Sequence, residues 1–292
     1  MRFVRWMIAA AVLVAAADTS VAENKRLLLV TDSGGFIHDS VGLAEQILKE
    51  IGPKHGIDVT CYRYTRDPNS ADFKKYAAEF RKTTGVTVEA ENIGRVNAET
   101  LKKFDCVVFF TTGNPLDTEE VKALVAWVKT GGAVAGTHCG SDTLYPAKDR
   151  PWNHAYGELI GAYFDGHPWH QKIKIVNEDP KHAAGHGFKT GDEITDEIYQ
   201  FRPEPYSRNK LHVILSVDNG SIDVTKGKRA DKDYAIAWCQ EVEKGRTFFT
   251  SLGHRKEVWK DPRYQEHLLG GLKWAMKQAD GDATPSAKLK KD

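Results

Sequence analysis

The stretch FDCVVFFTTGNPLDTEEVKALVAWVKTGGAVAGTHCGSD, residues 104–142, decides the fold. It opens with a short unbroken apolar run, 104–111, of the kind that suits a strand covered on both faces. Asp117 or Thr118 can cap a helix whose apolar residues Val121, Leu124, Val125 and Val128 recur at helical spacing, and Gly131-Gly132 ends it. A second buried strand follows at 133–137. Strand, helix and strand in this order form a βαβ unit, which implies a parallel pair with a crossover helix.

The same alternation extends upstream. KRLLLVT (25–31) predicts a strand; Val41, Ala44, Ile47, Leu48 and Ile51 predict a helix over 40–51, stopped by Gly52-Pro53; 57–64 predicts a second strand. Residues 66–98 are polar, with a helix expected at 71–82. Downstream the chain is richer in strands, expected at 171–176, 197–201, 211–217, 234–240 and 246–251, with a last helix at 262–277. No linker or repeat divides the chain. The pattern predicts one α/β domain over 23–278, a three-layer αβα sandwich with an antiparallel extension in its second half. Residues 279–292 (ADGDATPSAKLKKD) are expected to be a disordered tail.

The N-terminus has the features of a secretory signal. Arg2 and Arg5 precede an apolar run, Trp6 to Ala17, too short to span a bilayer, and Ser20-Val21-Ala22 offers small residues for cleavage before Glu23. The expected product is periplasmic or secreted, without membrane association once the signal is removed. Over the 292 residues, 41 basic side chains nearly balance 40 acidic ones, which excludes the basic field of a nucleic-acid binder. The four cysteines are too few for a disulfide-built scaffold. Cys61, Cys106 and Cys239 lie in apolar strand-like runs and are expected as buried free thiols.

In open parallel sheets, ligands bind beyond the carboxyl ends of the strands. Those ends here carry Asp32 and His38 after the first strand, Asn114 after the third, His138 and Asp142 after the fourth, and His254 after the last. Imidazole titrates near neutrality and is the commonest metal ligand. Gly136-Thr137-His138-Cys139-Gly140 has the form of a nucleophile elbow, with glycines two places either side of a central residue. That residue is His138, and Cys139, one place off, is expected to point aside. Between Pro151 and His170, Trp152, Tyr156 and His167 could offer aromatic surface and polar edges to a sugar ring, although Tyr156, Leu159 and Ile160 also fit an ordinary core helix. Glu197 enters a strand and could supply a carboxylate to a histidine, or begin the strand as a salt-bridged residue. His182 and His186 are expected in a loop, and His55, His212 and His267 as structural residues. Gly34-Gly35 matches neither GxGxxG nor a P-loop, so no nucleotide is inferred.

Taken together, FIHDS (36–40), GTHCGSD (136–142), PWNHAYGELIGAYFDGHP (151–168), KHAAGHGF (181–188), DEIY (196–199), KGR (244–246) and SLGH (251–254) resemble, in order, the ThuA-like family of trehalose-utilisation proteins. One departure is Ala183 after His182, where the family usually has proline. The resemblance implies a flavodoxin-like or class I glutamine amidotransferase-like fold and a link to keto-disaccharides. The amidotransferase nucleophilic cysteine falls where this chain has His138, so glutaminase activity is not expected.

The expectation is an exported sugar-active enzyme whose partner is a small carbohydrate. Catalytic roles are assigned to His38, His138, Asp142 and His254. Substrate contacts are assigned to Asp32, Asn114, Trp152, Tyr156, His167 and Glu197. No cofactor is assigned, and metal-free and metal-assisted chemistry both stay open: His38, His138 and His254 could together hold a divalent metal such as Zn²⁺. The alternatives are a non-catalytic carbohydrate binder using the same cleft and a hydrolase using Cys139.

Overall fold

The computed structural model describes residues 23–289; the expected signal segment, 1–22, lies outside them. Nine strands form one sheet: β1 (Lys25–Val30), β2 (Ile57–Tyr62), β3 (Cys106–Phe109), β4 (Ala133–Thr137), β5 (Trp169–Asn177), β6 (Glu193–Ile198), β7 (His212–Val217), β8 (Ala235–Val242) and β9 (Gly245–Thr250). Their order is β2-β1-β3-β4-β9-β8-β7-β5-β6. The first five are parallel and the remaining pairings antiparallel. With β9 in the fifth place, the parallel half has the 2-1-3-4-5 order of flavodoxin-like sheets.

The unbroken apolar runs have a direct explanation. In β1, Leu27 and Leu29 face one core while Leu28 and Val30 face the other, and all four are fully buried. Helices α1 (Val41–Ile51) and α2 (Phe73–Thr84) cover the first face. On the other, α3 (Ala98–Leu101), α4 (Thr118–Lys129) and α5 (Asn153–Ile160) insert Leu101, Val121, Leu124, Tyr156 and Ile160. Helices α6 (Lys256–Lys260) and α7 (Pro262–Ala275) complete the first face. Helix α4 starts at Asp117 in a reciprocal capping box with Glu120.

The extension differs in detail from the expected spans. The strand placed at 197–201 is β6, four residues earlier, because its alternation is masked by charged residues at buried positions: Asp196 and Glu197 lie inside the fold. Strand β5 changes partner along its length. Its first half, Trp169–Lys174, pairs with β6, and Ile175–Asn177 pairs with β7. Residues 279–289 are not the free tail that composition suggested. The Trp274 indole N–H donates to Gly281 O, His212 Nδ1 meets Thr284 O at 2.8 Å, and Ser286 bonds to Leu211 and Val213. Polar groups at the start of β7 find their partners in this segment, which outweighs its low hydrophobicity. All four cysteines are free and buried. No helix among the described residues is long and apolar enough to cross a membrane.

Candidate functional site

The carboxyl end of β4 turns sharply at His138, whose φ of +46° lies in the left-handed region. A β-carbon at Gly140 would stand 2.6 Å from Phe109 O, and one at Gly136 would stand 2.9 Å from Phe249 Cδ2. Only glycine at those two places lets the turn close against β3 and β9, which gives the GTHCG pattern its physical reason. The His138 ring is thereby driven over the sheet's end, and the neighbouring loops fasten to it. His138 Nδ1 lies 3.0 Å from Ser251 O, Thr137 Oγ1 donates to Leu252 O, and Ser40 Oγ donates to Gly253 O.

Three of the expected residues, His38, His138 and His254, meet as proposed from their strand-end positions, and Glu197 joins them. One donor atom from each lies within 4.8 Å of the others. His138 Nε2 is 3.2 Å from His254 Nδ1 and 3.3 Å from Glu197 Oε2, and His254 Nδ1 is 3.4 Å from the same oxygen. The second Glu197 oxygen lies 2.8 Å from His170 Nε2, which is also 3.0 Å from His167 Nδ1. His170 is the cross-strand partner of Glu197 in the β5–β6 ladder, so the pairing register itself creates this contact. The His38 ring stands perpendicular to those of His138 and His254, and its Nδ1 is buried without a partner.

The tautomer of His138 follows from its neighbours. Ser251 O can only accept, so Nδ1 carries a proton; in the neutral ring Nε2 then presents a lone pair. Tyr199, buried and pushed far up in pKa by that burial, donates its hydroxyl to this nitrogen at 2.9 Å. For Glu197, burial alone would raise the carboxyl, but the imidazoles of His138 and His254 against it outweigh burial and hold the group well below the usual range. The hydrogen bond to Glu197 raises His254 against the effect of burial. His38 is lowered to about 2, first by burial and then by the like charges of His138 and His254.

The other expected residues fare differently. Asp142 is outside the converging donors; burial pushes its carboxyl up, against the opposing influence of Tyr145 and His138. Asp32, expected to touch substrate, is consumed structurally: Arg66 takes both its oxygens at 2.9 and 3.0 Å and Thr65 donates twice more. Tyr156 is wholly buried and donates to Gly140 O, so it braces the elbow and has no face for a sugar. Asn114 accepts from Asn153 at 3.3 Å, joining a loop to α5. Trp152 is exposed, but its ring lies under Lys122 Nζ at 5.1 Å, away from the imidazoles' contacts. His167 does reach the site, through His170 and Glu197.

Sequence reasoning gave no role to Asp196, Tyr199, His170 or Phe36. Asp196 is nearly sealed from solvent and accepts from the backbone N–H groups of Gly253, His254 and Arg255 at 2.8, 3.3 and 3.0 Å, fixing the loop that bears His254. The signal was present as period two, since Glu197 and Tyr199 point one way and Asp196 the other. Phe36, 68% exposed, stands edge-on to His38 at 4.9 Å. Cys139 is fully buried and its thiol is pushed well above the ordinary range by burial, so it is poorly suited to act as a nucleophile.

Fold and site together define a flavodoxin-like α/β protein with a histidine–carboxylate centre at the strand ends. The trehalose-utilisation (ThuA) family profile matches residues 26–275, and the chain belongs to that family. Among solved structures, a ThuA-like protein from Bacteroides uniformis is 18% identical, with 93% of this chain and 99% of that one covered and a TM-score of 0.59. A ThuA-like protein from Parabacteroides merdae is 16% identical, with 87% and 90% covered and the same TM-score. At these identities the likeness concerns the fold. No curated protein matches the chain.

Proposed function

We propose that this chain is an exported enzyme acting on a keto-disaccharide or keto-glycoside by acid/base chemistry at the His138–Glu197–His254 centre. The observation that carries this reading is the convergence of three imidazoles from separate strand ends on one buried carboxylate. A ketone acidifies its neighbouring C–H. His138 Nε2, an acceptor by virtue of the Nδ1–Ser251 contact, would take that proton in exchange for the Tyr199 hydroxyl it accepts in the free protein. His254, favoured in its protonated form by Glu197, is placed to protonate the carbonyl or leaving oxygen. Phe36 offers an exposed aromatic face beside His38 for the apolar side of a sugar ring. The family's description as trehalose utilisation supports the sugar class.

The test is to incubate the chain from residue 23 with keto-trehalose and related keto-glycosides and identify products by NMR. Turnover is expected, falling about 10²- to 10⁴-fold in His138→Ala and Glu197→Gln. Undiminished turnover in both variants removes the assignment. Binding without turnover in the unsubstituted chain replaces the enzyme by a carbohydrate-binding protein.

A further inference from the structure

We propose that His138, His254 and Glu197 form a binding site for one first-row divalent cation of the Zn²⁺ type, with an open position beside His38 and with His170 orienting the carboxylate. The inference deepens the reading above, since it concerns the same centre, but it stands on geometry that needs no substrate.

The mutual spacing of the three donor atoms is the first argument. His138 Nε2, His254 Nδ1 and Glu197 Oε2 form a triangle with sides of 3.2, 3.3 and 3.4 Å. Ordinary N–H···O bonds centre nearer 2.9 Å. Metal–ligand bonds of roughly 2.0–2.1 Å give a tetrahedral edge of about 3.4 Å. The triangle has the size of one face of such a polyhedron. Two imidazoles, one carboxylate and an open fourth position is also a donor set that catalytic zinc takes.

Proton accounting is the second argument. His138 Nδ1 is committed as a donor to Ser251 O, which leaves Nε2 an acceptor in the neutral ring, met by the Tyr199 hydroxyl at 2.9 Å. A backbone carbonyl on the far nitrogen is the usual support of a metal-bound histidine, fixing both tautomer and ring plane. His254 Nδ1 and Glu197 Oε2 crowd this same nitrogen. A cation that takes the place of the Tyr199 hydroxyl at Nε2 satisfies all three at once, whereas shared protons satisfy them only in pairs.

The surroundings supply the remaining parts. The other Glu197 oxygen is held by His170 Nε2 at 2.8 Å, so the carboxylate presents one oxygen inward and is tethered by the other. His38 is 5% exposed, has a ring nitrogen within 4.8 Å of the other donors, and keeps an unpartnered Nδ1. A water or substrate oxygen in the fourth position would lie beside this ring. A cation there takes the electrophilic role otherwise given to a protonated imidazole, polarising a carbonyl or lowering the pKa of bound water.

The experiment uses the chain from residue 23 to 292 without a histidine tag, stripped with chelator and dialysed against Zn²⁺ or Co²⁺. Metal content is read by elemental analysis, affinity by calorimetry, and ligand field by the visible spectrum of the Co²⁺ form. One ion per chain is expected. Glu197→Gln and His254→Ala should each lose it while keeping the circular dichroism of the parent. His170→Asn should weaken affinity by about 10- to 100-fold without changing stoichiometry. Less than a tenth of an ion per chain, or binding indifferent to Glu197→Gln and His254→Ala, overturns the site. Two ions per chain, one lost in His170→Asn, overturns the orienting role given to His170. One ion bound with no keto-sugar turnover upholds this inference and removes the proposed function; turnover with less than a tenth of an ion per chain upholds the proposed function and removes this inference.

Discussion

At the scale of single residues, the left-handed backbone of His138 is the point on which the site turns. A non-glycine residue there stores about 1–3 kcal/mol of strain, and the surrounding contacts must hold it. The neighbouring glycines allow a graded test. In Gly140→Ala the new methyl meets a main-chain oxygen of β3, which cannot move without disturbing the sheet. In Gly136→Ala it meets the side chains of Phe249 and Ile160, which can shift slightly. Gly140→Ala should therefore be the more destabilising, by about 2–4 kcal/mol against roughly 1–3 for Gly136→Ala. Urea denaturation of the two variants checks this, and equal losses would show that main-chain contact does not set the difference. The strand-end histidines and the flanking glycines could be read directly from sequence. Asp32 and Tyr156 could not be assigned correctly, because nothing local shows that Arg66 and Gly140 O already occupy their polar atoms.

At the scale of elements, the β5–β6 ribbon brings a distant sheet edge back to the parallel strands. Asp196 joins the two by accepting three backbone N–H groups from the loop after β9. Asp196→Ala leaves those donors unpaired in a buried setting, at a cost of about 3–5 kcal/mol. It also frees the loop that carries His254. The expected result is a lowered Tm together with lost activity, while Asp196→Asn, which keeps an acceptor oxygen, recovers part of both. A folded Asp196→Ala protein with full activity would show that the loop holds its position without this carboxylate. The parallel half was legible because unbroken apolar runs report strands buried on both faces. The ribbon was displaced in the sequence reading because its buried acids imitate a surface strand.

At the scale of the whole molecule, two buried imidazoles away from the site make stability depend on pH. His182 and His267 flank Ala184, one accepting from its N–H and the other meeting its carbonyl at 2.5 Å. Burial lowers both to about 4 from the ordinary 6.5 of a free imidazole. The unfolded chain therefore takes up protons first on acidification. Full stability is present above pH 6.5 and is lost as pH falls toward 4, with a limiting slope of about 1.4 kcal/mol per pH unit for each group. Thermal unfolding between pH 4 and 8 should show a decline below 6.5, and His267→Gln should make that decline shallower. An unchanged slope in this variant would assign the acid sensitivity to other groups. The αβα architecture was readable from the alternation of strands and helices, whereas the docking of 279–289 was not. That segment is held by hydrogen bonds that each have a main-chain group as one partner, and such bonds leave no trace in composition.

The donors gathered at the strand ends come from positions 38, 138, 197 and 254, nearly the full span of the domain. These donors can therefore come together only in a chain that extends past residue 254, and no contiguous fragment ending before it can contain all four.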